Sequence, residues 1–165
     1  MIHRLARLGV AALAILGVAI AHPAAAAGIS VMTDAGGIAI GGYDPVAYFT
    51  DTRALAGKPE FSAEWQGAVW RFASAAHRDL FLADPARYAP RYGGWCAYGV
   101  TMGVAAEADP AEGWTLYDGR LYFAYDAGTR ARWSQDIAAN LAAADTRWPA
   151  IEAGLLDGTA KIYRK

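Results

Sequence analysis

Residues Leu8 to Ala21 form an apolar run without a single charge, and that run decides which part of the chain has to fold. Arg4 and Arg7 stand ahead of it; after it, past His22 and Pro23, come Ala24, Ala25, Ala26, Ala27 and Gly28. A basic start, an uncharged stretch and small residues before a cut are the three parts of a signal peptide. The run is shorter than the roughly 20 residues that span a bilayer, so a membrane anchor is not expected. Residues 1–27 therefore read as a signal cleaved after Ala27, with no cysteine near the cut to carry a lipid and no membrane span left afterwards. The remaining residues, 28–165, have the length of one domain, with its core at about 38–150.

Losing Arg4 and Arg7 takes the formal charge from −1 to −3 and leaves no basic run, which makes nucleic acid a poor partner. All six tryptophans, nine tyrosines and five phenylalanines lie after residue 27, so aromatic rings are expected to build the core. Cys96 is the only cysteine, so no intramolecular disulfide can form. His3 and His22 leave with the signal, so His77 is the one histidine of the mature chain. A Cys/His zinc pattern cannot be assembled from two such residues.

Turn chemistry organises the rest. Gly41-Gly42-Tyr43-Asp44-Pro45 is a turn, followed by a short strand or a turn of helix at Val46 to Phe49. Phe61, Ala63 and Trp65 alternate with polar residues, and Gly67 turns the chain into Ala68 to Phe72, a hairpin. Ser74 caps a helix to about Ala83, which Asp84-Pro85 stops. Tyr88 to Met102 reads as a loop. Asp118-Gly119 joins Trp114–Tyr117 to Arg120–Tyr125 in a second hairpin. Trp133, Ile137 and Leu141 mark a helix over Thr129–Ala144, with a shorter helical segment after Pro149. The fold class is α+β, short antiparallel hairpins packed with helices.

The set Gly41 to Phe49, Phe72-Ala73-Ser74, Asp84 to Pro90 and Tyr92-Gly93-Gly94-Trp95-Cys96-Ala97-Tyr98 resembles the YHS domain family. More narrowly it resembles the family's exported bacterial branch, the YHS domain-containing (seleno)proteins, and the likeness extends to Trp114, Leu121-Tyr122 and Trp148-Pro149. The resemblance implies a periplasmic or secreted bacterial protein, with selenocysteine in some members where this chain has Cys96. Metal-associated YHS domains carry cysteines where this chain has Ala47, Ala73 and His77. Alanine has no lone pair to donate, so a thiolate-rich zinc or copper site does not transfer, and only His77 keeps a ligand atom.

Cys96 has two readings. As a free cysteine among Trp95, Tyr98 and Tyr92 it packs as a small hydrophobe. As the residue that selenocysteine replaces in relatives it does redox or ligand chemistry, with Gly93 and Gly94 admitting backbone donors that favour a thiolate. His77, the third residue of the Ser74-capped helix, sits where the helix dipole favours a neutral ring able to bind metal. Met102 completes a Cys/His/Met set suited to copper or another soft ion. Asp44 is expected to bond backbone amides in its turn. Three functions stay open: a soft-metal or cofactor-binding module built on Cys96, with His77 or Met102; a thiol redox enzyme with Cys96 as catalytic residue, working with a periplasmic partner's thiol; and an interaction domain whose cysteine is inert.

Overall fold

The structure, a computed structural model, describes residues 28–165, so the expected signal peptide lies outside the described residues. From its start the described chain runs through a 3-10 turn, Ile40–Gly42, into a single turn of helix, α1 (Ala47–Thr50). Two strands follow, β1 (Lys58–Trp65) and β2 (Ala68–Phe72), paired antiparallel with Trp65 opposite Ala68 and Glu64 opposite Val69. The turn between them is Gln66-Gly67, both residues at positive φ (49° and 75°), the backbone that a two-residue hairpin with matching twist requires. Along β2 the side chains of Ala68, Trp70 and Phe72 are buried and those between them are half-buried, the alternation of a strand with one face on the core.

Helix α2 (Ala75–Ala83) starts at Ser74, whose hydroxyl accepts from the His77 N–H at 3.2 Å. It ends at Asp84, whose carboxylate then caps α3 (Pro85–Tyr88) by accepting from the Arg87 N–H at 3.2 Å. Proline at the first position of α3 has no amide to leave unsatisfied, so Asp84-Pro85 both stops one helix and starts the next. The segment read as a loop from Tyr88 to Met102 contains a 3-10 turn, Arg91–Gly94, and a short helix, α4 (Ala97–Thr101), capped by the Cys96 sulfur. Strand β3 (Ala105–Ala106) follows, then β4 (Trp114–Tyr117) and β5 (Arg120–Phe123), which form the second antiparallel hairpin through Asp118 (φ 48°) and Gly119 (φ 66°).

The C-terminal region departs from the expected pattern. In place of one helix over Thr129–Ala144 there are two, α5 (Ala127–Trp133) and α6 (Ile137–Asp157), separated by a 3-10 turn at Ser134–Asp136. Asp136 caps α6 by accepting from the Ala139 N–H at 3.1 Å, which restarts the helix. Pro149 does not begin a separate segment; it lies inside α6, whose final turns are anchored by buried Ile151, Gly154 and Leu155. A last strand, β6 (Ile162–Tyr163), pairs parallel to β3. The architecture is α+β: two antiparallel hairpins, one short parallel pair and helices around a shared core.

Aromatic rings build that core. Trp70, Trp95, Trp133, Tyr48, Phe72, Phe81 and Phe123 are each buried. Trp70 meets Phe81 with centroids 5.2 Å apart, Tyr48 meets Phe123 at 5.5 Å and Tyr122 meets Trp133 at 5.3 Å. Pairs at such separations add about 0.5–1.5 kcal/mol each beyond the area they bury. The Tyr48 hydroxyl, in the core, donates to Pro110 O at 2.6 Å. No described helix is long and apolar enough to cross a membrane.

Candidate functional site

Asp44 is the one fully buried carboxylate among the described residues, and four donors meet it. Oδ1 accepts from the backbone N–H of Val46 at 2.8 Å and of Ala47 at 3.3 Å. Oδ2 accepts from the Ala73 N–H at 2.8 Å and from His77 Nδ1 at 2.6 Å. A carboxylate taken out of water is tolerated only when its lone pairs are filled in this way. The turn role expected of Asp44 is present in the first two bonds. The other two were not legible locally, because they reach the end of β2 and the first turn of α2, far along the chain.

The same contacts fix the histidine. With Nδ1 donating to Asp44, the lone pair of the neutral ring sits on Nε2. Nε2 faces α1 and the residue after it: Thr50 Oγ1 stands 3.4 Å away and Asp51 Oδ2 3.5 Å away. Thr50 Oγ1 itself donates to Asp51 Oδ2 at 2.7 Å, holding that carboxylate in place. The His77 side chain is 16% exposed and that of Asp51 32%, so both side chains touch solvent while Asp44 does not. A buried carboxylate that orients an imidazole from behind is also the arrangement found behind metal-bound histidines.

One relationship ties this site to positions singled out in the sequence. Ala47, Ala73 and His77, which are far apart in the chain, each donate to the Asp44 carboxylate, the alanines through their amides and the histidine through its ring. Three positions singled out on sequence grounds therefore surround a single side chain.

Cys96 belongs to the hydrophobic core. It is 1% exposed, its amide donates to Ala106 O at 2.9 Å, and its sulfur accepts from the Gly99 N–H at 3.4 Å and the Tyr125 N–H at 3.2 Å. Backbone donors do reach the sulfur, as the sequence suggested, but from α4 and from the residues after β5 rather than from the glycine pair. Burial pushes the thiol up more strongly than these amides pull it down, so the thiolate is disfavoured. The glycine pair serves packing instead. Gly93 and Gly94 are at φ 60° and 87°, and a Cβ on Gly93 would lie 2.4 Å from Ser30 O.

Met102, at the end of α4, is 67% exposed, whereas the Cys96 sulfur points inward. Among the described residues, no three His, Cys, Asp or Glu side chains gather in a group able to hold a metal. Of the Cys/His/Met set expected from sequence, the cysteine is in the core, the methionine is in solvent, and the imidazole contacts Asp44 and Asp51. Asp51, the neighbour that completes the histidine site, carried no signal beyond its place in a polar turn. The chain has no significant match to a family model, to a curated protein or to a solved structure.

Proposed function

We propose that this chain is an exported domain of the YHS kind that binds a metal ion through His77, with Asp51 as second ligand and Asp44 as the group that orients the imidazole. The observation that carries the reading is the Asp44–His77 contact at 2.6 Å, with Nε2 left 3.5 Å from the Asp51 carboxylate. Those two side chains would be the ones to hold such an ion, the imidazole through Nε2 and Asp51 through its carboxylate. Imidazole nitrogen and carboxylate oxygen suit a borderline divalent ion, copper(II) or zinc, better than copper(I). With two side-chain ligands and Thr50 beside them, the remaining positions fall to water or to a ligand from a partner. That describes a site for exchange rather than permanent storage. The convergence of Ala47, Ala73 and His77 on one carboxylate supports the YHS reading, since these are the positions where metal-associated relatives are expected to carry their sulfurs. Bacterial export and a periplasmic partner enter on the sequence pattern alone.

In this reading Cys96 is a core residue and a helix cap. Its burial weighs against both a thiolate-based copper site and a thiol redox enzyme. Calorimetric titration of untagged residues 28–165 with copper(II) or zinc separates these readings. One equivalent should bind, Cys96→Ala should bind equally well, His77→Ala should bind at least tenfold more weakly, and Asp51→Asn should fall between. Binding that survives His77→Ala and vanishes with Cys96→Ala would overturn the assignment.

A further inference from the structure

Between α3, β5 and the middle of α6 the surface sinks into two adjoining hollows of about 370 and 440 Å³, which share Ala86 and Arg120. Their size is that of a small-molecule site. The first hollow is lined by two half-buried tryptophans, Trp65 at the end of β1 and Trp148 in α6. Aromatic residues from two separate elements thus border one opening, and His77 lines neither hollow.

Arginines line the same groove, and their state of pairing differs. Arg91 is engaged by Asp145 at 2.9 Å. Arg87 and Arg120 have no carboxylate within 4.0 Å among the described residues. Arg120 Nη1 donates to Ala86 O at 3.1 Å, which pins the guanidinium on the rim shared by the two hollows and leaves its other N–H groups available. Asp84 and Glu152 also line the groove, so its field is moderately rather than strongly positive.

We infer that this groove binds a small aromatic carboxylate, with its ring against the indoles of Trp65 and Trp148 and its carboxylate on the fork of Arg120. A guanidinium fork matches a carboxylate through two parallel hydrogen bonds, and an aromatic wall matches a flat ring. The two acidic residues at the rim favour a monoanion over a more highly charged ligand. The indole walls give a bare inorganic anion nothing to contact.

The test uses 4-hydroxybenzoate as probe, titrated into nitrogen-15-labelled residues 28–165 while the tryptophan indole N–H signals are followed. The Trp65 and Trp148 signals should shift saturably. Uncharged 4-hydroxybenzamide and the Arg120→Gln variant should each weaken binding about tenfold or more, with Arg120→Lys between. Arg120 is exposed on β5, so the variant's other signals report an intact fold; Trp148→Ala, which removes the apolar wall instead, should weaken binding as well. Equal binding of the benzamide, an unchanged affinity in both Arg120→Gln and Trp148→Ala, or displacement by inorganic phosphate at equal concentration would overturn the inference.

Discussion

Asp44 Oδ2 and His77 Nδ1, 2.6 Å apart, join the turn ahead of α1 to the first turn of α2, and the same carboxylate holds the end of β2 through the Ala73 amide. One buried side chain thus fixes both the local backbone and the histidine's orientation. Replacing it by alanine orphans several donors at once, at about 1–3 kcal/mol for each one left unsatisfied in the interior. Asp44→Ala should therefore lose 3 kcal/mol or more, roughly, in urea denaturation. Asp44→Asn, similar in shape but carrying its own donors, should lose less stability and still weaken metal binding at His77. A loss confined to the few tenths expected of a surface site would contradict the network.

Cys96 should be slow to alkylate in the folded protein and fast once denatured, because the thiol is both buried and pushed up. Its burial also makes stability depend on pH. In the unfolded chain the thiol ionises near 8.5, roughly, and the folded thiol resists doing so, so its contribution is complete below that pH and declines as pH rises above it. Burial pushes Tyr48, Tyr92 and Tyr122 up as well, which adds a second decline above a pH of about 10. Melting curves across alkaline pH should show both, and Cys96→Ala should remove the earlier one. Stability that stays flat or rises from pH 8 to 11 would contradict this.

Gly93→Ala tests the tightest backbone approach near Cys96. Its φ of 60° already disfavours a side chain, and a Cβ 2.4 Å from Ser30 O has no room because the opposing atom is backbone. The substitution should cost more than the roughly 1–2 kcal/mol that an L side chain loses in the left-handed region alone. Gly103→Ala, also at positive φ (85°) but with nothing within 4 Å of the added carbon, is the control and should cost only that ordinary amount. Equal losses in the two variants would remove the packing argument.

Gly28 offers a check on the expected signal cleavage. Its amide donates to Leu156 O at 2.8 Å, and a Cβ there would lie 2.3 Å from Leu155 O, so only glycine fits against these carbonyls near the end of α6. Cleavage after Ala27 would place a free ammonium beside the negative end of that helix, where a positive charge is favoured. N-terminal sequencing of exported protein should begin at Gly28, and acetylating that amine should lower the melting temperature. A start elsewhere, or no effect of acetylation, would count against the placement.

What the sequence revealed was local. Asp118-Gly119, Ser74 and Asp84-Pro85 each act through backbone within a few residues, and each produced the turn, cap or stop its chemistry predicts. The break between α5 and α6 was hidden because Trp133, Ile137 and Leu141 keep a four-residue spacing across it, while Asp136 restarts the helix with a cap. Pairing of β3 with β6 joins distant segments of two residues each, too short to leave a pattern. His77 stood out in the sequence, but its pairing with Asp44 and Asp51 did not. Asp44 looked like a turn residue and is one; its second task depends on where β2 and α2 end in space.

Because residues 28–165 contain one histidine, its ring nitrogens can be read directly by nitrogen-15 NMR. The central claim is that Asp44 holds the Nδ1 proton and leaves Nε2 to a metal ion. At a pH where the ring is neutral, the Nδ1–H form should dominate. Adding one equivalent of zinc should shift Nε2 and leave Nδ1–H in place, whereas in Asp51→Asn the same shift should need more metal. A ring protonated at Nε2 instead, or an Nε2 resonance indifferent to zinc, would contradict the account.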